Sequence, residues 1–339
     1  MPTTERKAGR RIVLVGGRGQ VGTLLARHFH ALGDEVVVIA RTTYSAPWKL
    51  VAWNGERAGP WVEELESTDV VINLAGRSVN CRYNRSNRRE ILESRVRSTQ
   101  LLGEVIGSLP APPKVWLNAS TATIYRHALD RAMDEVSGEI GGMEAGAPDS
   151  WRFSIEVAQA WEQAFFAADT PKTRKVALRS AMTMSPDRGG VFDALLRLVR
   201  FGLGGAAGSG EQFVTWIHEM DFVRAVEFVI AHQEIEGVVN VASPKPIPNT
   251  EFMKSLREAW GIGYGLDANQ WMLEVGVFLL RTETELILKS RRVIPGRLLE
   301  SGFQFQFPEW TDAAKELVDR WKMQRNGLHS VVAREEIRA

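Results

Sequence analysis

The sequence predicts an α/β fold, a doubly wound parallel sheet joined to a smaller, mostly helical C-terminal lobe. Three observations carry this. Residues 12–22, Ile-Val-Leu-Val-Gly-Gly-Arg-Gly-Gln-Val-Gly, form an apolar run that breaks into glycines and passes at once into a helical pattern. Strand-length apolar runs recur at 35–40, 70–74, 114–118 and 175–178, separated by segments with helical spacing; such alternation belongs to parallel sheets covered by helices. From about residue 249 the pattern becomes mainly helical.

The first element is the most specific. Ile12 to Val15 reads as a buried strand, and Val21, Leu24, Leu25 and Phe29 mark the inner face of the helix that begins near Gln20. Between them, bare backbone at Gly16 or Gly17 and at Gly19 lets the chain approach a pyrophosphate, while Gly22 lets helix and strand pack closely. The helix N-terminus then faces the anion. Two spacings fit, G-x-G-x-x-G through Gly17, Gly19 and Gly22 or G-x-x-G-x-x-G through Gly16, Gly19 and Gly22. Strand, glycine turn and helix in this order form a Rossmann-type dinucleotide site.

The second strand, Glu35 to Ala40, ends where such folds meet the adenosine ribose. An acid there binds the 2'-hydroxyl of NAD, whereas an arginine accommodates the 2'-phosphate of NADP. This chain has Arg41, with Arg18 inside the turn as a second cation, so NADP(H) is expected in preference to NAD(H). Trp53, in the turn after a third candidate strand, has two readings, a ring that flanks adenine or a core tryptophan. The helix after the 70–74 strand carries Arg82, Arg85, Arg88, Arg89, Arg95 and Arg97 among acids, read mostly as a solvated face.

The C-terminal half is less regular. After Ser185-Pro186-Asp187-Arg188-Gly189-Gly190 come a short helix and the glycine-rich stretch Gly202 to Gly210, read as a mobile loop or lid, and then Trp216-Ile217-His218. Val238 to Ala242 reads as a strand, with Pro244, Pro246 and Pro248 stiffening its exit. The expected organisation is a tail at 1–10, the dinucleotide domain at 11–185 with 215–245 returning to it, substrate-lobe segments at 186–214 and 246–323, and a frayed tail at 324–339. The long candidate helix Gln270 to Leu288 is interrupted by Glu274, Arg281, Glu283 and Glu285 and is expected to pack on protein.

Composition narrows the partners. With 42 Lys plus Arg against 41 Asp plus Glu in 339 residues, the chain has no global field to recruit nucleic acid or an anionic membrane, leaving a small molecule as the expected ligand. Cys81 is the single cysteine and the six histidines are scattered. No metal site is expected, and a reducing cytoplasm is the expected setting. The polar, basic N-terminal segment does not read as a signal peptide. The sequence is compatible with a homodimer and specifies no oligomeric state.

Taken in order, the glycine turn, Asp69-Val70-Val71-Ile72-Asn73-Leu74-Ala75-Gly76, Asn118-Ala119-Ser120-Thr121 with Tyr125, and Trp216-Ile217-His218-Glu219-Met220-Asp221 resemble the extended short-chain dehydrogenase/reductase superfamily. Glu93-Ser94-Arg95-Val96, Gly202-Leu203-Gly204-Gly205 and Arg292-Val293-Ile294-Pro295 resemble its atypical epimerase/dehydratase-like branch, whose C-terminal segment has no known function. The resemblance covers about residues 11–320. It implies cofactor contacts from Gly16, Gly17, Arg18, Gly19, Gln20, Val21, Gly22, Arg41, Trp53, Leu74, Ala75, Gly76, Arg95, Ala119 and Ser120, and a substrate entrance beside Trp216 and His218.

One departure restricts the chemistry that this resemblance implies. The superfamily uses a Tyr-x-x-x-Lys helix in which the lysine assists proton transfer by the tyrosine. The four tyrosines here, Tyr44, Tyr83, Tyr125 and Tyr264, are followed four places on by Trp48, Asn87, Leu129 and Ala268. By position, Phe153 and Val157 stand in the dyad's places. Two readings survive: an NADP(H)-binding epimerase or oxidoreductase acting on a small carbonyl or nucleotide-sugar-like compound, with Ser120 hydrogen-bonding substrate and Tyr125 donating the proton; or a non-catalytic NADP(H)-binding redox sensor or scaffold. Asp221 is expected to cap the helix that follows it.

Overall fold

The computed structural model describes residues 9–144, 146–268 and 285–336. Arg11–Val15 forms β1, and Gln20–Ala31 forms α1 across the glycine turn. Then come β2 (Glu35–Ala40), β3 (Lys49–Ala52), β4 (Val70–Asn73), α2 (Arg85–Ser108), β5 (Val115–Thr121), α3 (Asp149–Ala167) and β6 (Arg174–Ser180). The chain continues through β7 (Met182–Met184), α4 (Val191–Arg200), β8 (Phe213–Val214), β9 (Trp216–His218), α5 (Glu219–Ala231) and β10 (Gly237–Val241). It closes with β11 (Ile247–Pro248), α6 (Asn249–Trp260), α7 (Glu285–Leu288), α8 (Gly296–Glu300) and α9 (Trp310–Glu336).

Seven strands form one parallel sheet in the order β10-β6-β5-β4-β1-β2-β3. The order reverses between β1 and β4, and beyond the carboxyl ends of strands at such a point open α/β sheets bind ligands. The continuous apolar character of β1 is explained by its place: Ile12 to Val15 have no exposed surface, between α1 and α5 on one face and Trp61, Leu102 and Ile106 on the other. A second core, from Phe192, Leu196, Trp216, Phe252, Trp310 and Trp321, joins α4, α6 and α9 into the C-terminal lobe. Among the described residues no helix is long and apolar enough to cross a membrane.

The structure resolves the two glycine spacings. Gly16 adopts φ +75°, and a Cβ there would lie 2.7 Å from the backbone of Ala75. Gly17 faces inward, onto Leu14 and Val38, while a Cβ on Gly19 would meet open space. Gly16 and Gly19 therefore face the cleft, and Gly17 serves packing: a Cβ on Gly22 would fall 2.4 Å from the Gly17 carbonyl oxygen.

Several expectations are corrected. The stretch 202–210 is not a free lid, because its backbone is laced to 266–268 by Gly205 N to Leu266 O, Ala268 N to Ala206 O and Gly208 N to Ala268 O. A Cβ on Gly205 would strike Asp267, so these glycines permit close packing. The chain from 324 is not a frayed tail through 336 but the continuation of α9, where Arg325 pairs with Asp193 at 3.1 Å. At the other end, Arg10 is tied to Asp34 by three hydrogen bonds. Residues 269–284, most of the candidate helix 270–288, and the tail residues 1–8 and 337–339 lie outside the described residues.

Replacing Gly22 with alanine is expected to destabilise the protein by about 1–3 kcal/mol, the usual cost of overfilling a packed site. Urea unfolding of Gly22→Ala checks this, with Gly19→Ala, which adds its methyl to open space, as the contrasting variant.

Candidate functional site

Two adjoining spaces lie at the carboxyl ends of the sheet strands. The outer cleft, about 1080 Å³, is lined by Gly16, Arg18 and Gly19 of the turn, by Arg41 and Trp53, and by Leu74, Ala75 and Gly76. Buried amides shape its floor: Asn73 donates to Asn118 Oδ1 at 2.7 Å and to Thr99, and its own oxygen receives the Ala75 amide at 3.1 Å. Trp53 is almost wholly buried, its ring 4.6 Å from that of Trp61. Arg18 bonds Thr42 Oγ1 and lies over Tyr44, leaving the exposed Arg41 beside the end of β2. Gln20 and Val21 begin α1 behind the turn, and Ala119 lies in β5 with its carbonyl bonded to Asn118.

The inner cavity, about 320 Å³, begins at Arg95, whose guanidinium carbon would lie 3.2 Å from a Cβ on Gly76. Its walls include Ser120, Thr121 and Thr123 after β5, Phe153, Ser154, Val157 and Trp161 on α3, and Glu285 and Arg291 from the C-terminal segment. Phe153 and Val157, in the places of the superfamily's tyrosine and lysine, thus face the cavity and make that wall apolar. Arg95 leaves the solvated face expected of the α2 arginines. It stacks on Trp161 and donates to the carbonyls of Arg77 and Ile91, and burial pushes its pKa down to about 10.

Behind Ser120 runs a buried polar chain. Ser120 Oγ donates to Glu162 Oε1 at 2.6 Å, and Glu162 is held by two bonds from Arg179, at 2.8 and 2.7 Å. Arg179 also donates to the Tyr125 hydroxyl, which donates to Asn240 Oδ1, both at 2.9 Å. Burial pulls the Arg179 guanidinium down, but Glu162 outweighs it and the pKa is raised. A carboxylate in such a pair only accepts, so the Ser120 proton is committed to Glu162 and its oxygen meets the cavity as an acceptor. Thr121 is complementary: its oxygen receives the Thr123 amide, and its hydroxyl proton has no acceptor among the described residues.

Residues 12–242 match the model described as the NAD dependent epimerase/dehydratase family, and 270–317 match a domain of unknown function. The chain belongs to the NAD-dependent epimerase/dehydratase family. It is similar to the Epimerase family protein SDR39U1 of Homo sapiens, 32% identical over 313 residues covering 91% of this chain and 99% of that protein. Epimerase family protein YfhF of Bacillus subtilis is 26% identical over 91% of this chain and 97% of its own length. The crystal structure of human SDR39U1 isoform 2 with NADPH superposes with a TM-score of 0.79 at 30% identity, covering 91% of this chain and 99% of that one. The UDP-N-acetylglucosamine 4-epimerase from Bacillus cereus shares the fold, with a TM-score of 0.68 at 15% identity over 91% of this chain and 96% of its own.

Within this family frame three sequence-derived site residues are relocated. Tyr125 is 1% exposed and does not line the cavity; with its hydroxyl held between Arg179 and Asn240, and burial raising its pKa, it is no proton donor to a ligand. Trp216 is fully buried against Trp310, and His218 is fully buried on Phe307. His218 accepts the Met220 amide as the cap of α5 and bonds Glu316 at 2.8 Å, so neither residue borders a substrate entrance. Asp221 is structural, though not as a cap: its oxygens take the amides of Gln306 and Phe307, both at 2.7 Å.

Sequence reasoning missed Thr121, Glu162, Arg179, Glu285, Lys289 and Arg291. The only local signal was an unexplained acid on the apolar face of α3, Glu162. Lys289 is 1% exposed, donates to the Thr123 carbonyl at 2.7 Å, and is pushed down to about 8 by burial and the neighbouring Arg291. Above about pH 8 the folded chain has lost this proton, whereas the unfolded chain keeps it up to about 10.5, so stability rises with pH across that window. The stability difference between wild type and Lys289→Met is expected to move in favour of wild type by on the order of 1–3 kcal/mol from about pH 7 to 10. A difference that stays flat refutes the depressed pKa.

Proposed function

We propose that the protein is an NADP(H)-dependent oxidoreductase or epimerase acting on a small carbonyl or nucleotide-sugar-like compound, with a proton-transfer site that replaces the Tyr-x-x-x-Lys dyad. The observation that carries this is the adjacency of the two spaces. A glycine-walled cleft with two cations at its outer end adjoins, at Gly76 and Arg95, a cavity that presents a hydrogen-bond acceptor and donor side by side. The crystal structure of the similar human SDR39U1 contains NADPH, which supports the same cofactor here.

The residues present fit a dinucleotide. Gly16 and Gly19 leave bare backbone where a pyrophosphate would approach, α1 points its N-terminus there, and Arg18 and Arg41 would hold a 2'-phosphate. The cofactor would supply hydride exchange. The remaining requirement is a proton at the substrate oxygen, and Ser120 meets it by relay: Oγ accepts a substrate hydroxyl proton while its own passes to Glu162 Oε1. In the reverse direction the same groups return it. Thr121 donates a hydrogen bond to the same oxygen, and Phe153 and Val157 keep that wall dry.

A second reading, a non-catalytic NADP(H)-binding redox sensor or scaffold, is favoured by one observation: both oxygens of Glu162 are already engaged by Arg179. Stopped-flow oxidation of NADPH against a panel of carbonyl compounds and nucleotide sugars separates the two. Turnover abolished by Ser120→Ala and surviving Tyr125→Phe is expected; tight NADPH binding with no turnover across the panel supports the sensor. NADPH is expected to bind at least about tenfold more tightly than NADH, with Arg41→Ala removing most of that preference. Equal affinities overturn the NADP(H) assignment.

A further inference from the structure

We propose that the inner cavity takes a small carboxylic acid, its apolar body against Phe153, Val157 and Trp161 and its carboxylate held by the guanidinium groups of Arg95 and Arg291. This rests on the reading that the outer cleft holds the dinucleotide, which leaves the inner cavity to the substrate.

The charge of the cavity is the first argument. Among its described lining residues are two guanidinium groups and one carboxylate, that of Glu285. Arg291 uses Nε on Thr123 Oγ1 at 3.1 Å and a terminal nitrogen on the Glu285 carbonyl at 3.2 Å, with the Glu285 carboxylate 3.6 Å away. Arg95 has no carboxylate partner among the described residues. One of its terminal nitrogens serves the carbonyls of Arg77 and Ile91, and its guanidinium carbon lies 5.0 Å from the centre of the Trp161 ring. A cation enclosed in protein without an anion is costly, and a planar guanidinium is matched in geometry to a carboxylate. Burial also depresses the pKa of Arg95, as expected where a counter-charge has yet to arrive.

Size and wall chemistry restrict the rest of the ligand. At about 320 Å³ the space has the volume of roughly ten water molecules in the liquid. Phe153, Val157, Trp161 and Tyr83 make its sides largely aromatic and apolar. Ser120 and Thr121 then meet a hydroxyl or carbonyl oxygen elsewhere on the same molecule, so the class is a small hydroxy or oxo acid with an apolar body.

Benzoate and benzamide, equal in size and shape and differing in charge, are the direct probes. Their affinities are measured by calorimetry on the full chain with and without saturating NADPH, whose own binding is followed separately by fluorescence. Benzoate is expected to bind at least about tenfold more tightly than benzamide to the NADPH-loaded protein. Arg95→Gln and Arg291→Gln should each remove most of that ratio, and Arg95→Lys should keep part of it. Should Arg291→Gln fail to fold, the two Arg95 variants decide. Equal affinities, no binding of either probe, or UDP-glucose binding where benzoate does not, each overturn the proposal. A protein that prefers benzoate but does not bind NADPH refutes the cofactor reading and leaves the acid site standing.

Discussion

The ion pair between Glu162 and Arg179 holds the functional end of the sheet together. Glu162 comes from α3 and Arg179 from β6, and through Ser120, Tyr125 and Asn240 the pair reaches β5, the segment after it and β10. Taking either partner away would leave a buried charge unmatched, a loss of about 3–5 kcal/mol in comparable pairs. Asn240 extends the chain further, donating its side-chain amide to the Ile294 carbonyl and its backbone amide to Glu135 Oε1, so the C-terminal segment is anchored to the same network. The position of the cavity walls on four elements follows from this one set of buried charges.

That constraint also explains the altered chemistry of the site. With Tyr125 drawn inward as a ligand of Arg179 and the dyad places taken by Phe153 and Val157, the polar residues at the cavity include Ser120 with its proton committed, Thr121, the carboxylate of Glu285 and two arginines. Such a wall suits recognition of an oxygen and of negative charge, with Ser120 hydrogen-bonded to Glu162 behind it. The ionic network and the apolar patch are complementary: dry walls strengthen each remaining polar contact.

The parts of the fold that were legible in the sequence share one property, a local period. Strands β1, β2, β4, β5, β6 and β10 were readable because each is a short apolar run bounded by turn residues, and α3 because its apolar spacing covers three turns or more. The glycine turn was legible because bare backbone and an ensuing helix are adjacent in sequence. Even there, which of Gly16 and Gly17 faced the cleft depended on Leu14, Val38 and Ala75, and no spacing rule contains those neighbours. The stretch 202–210 misled for the opposite reason: glycine permits both motion and close approach, and only its partner segment at 266–268 decides between them.

The candidate site divides along the same line. The α/β class, the glycine turn, the arginines beside it and the missing Tyr-x-x-x-Lys were legible from the chain alone, because each is a statement about neighbours within a short stretch. Folding settled that His218 and Trp216 are core, that Asp221 holds Gln306 and Phe307 rather than a helix end, that Tyr125 turns away from the cavity, and that Arg95 and Arg291 both line it. Those outcomes depend on burial and on distant partners, 54 positions along the chain for Tyr125 with Arg179 and 98 for His218 with Glu316. Burial changes the chemistry of a side chain, through desolvation and the charges packed around it, and its residue type does not reveal this.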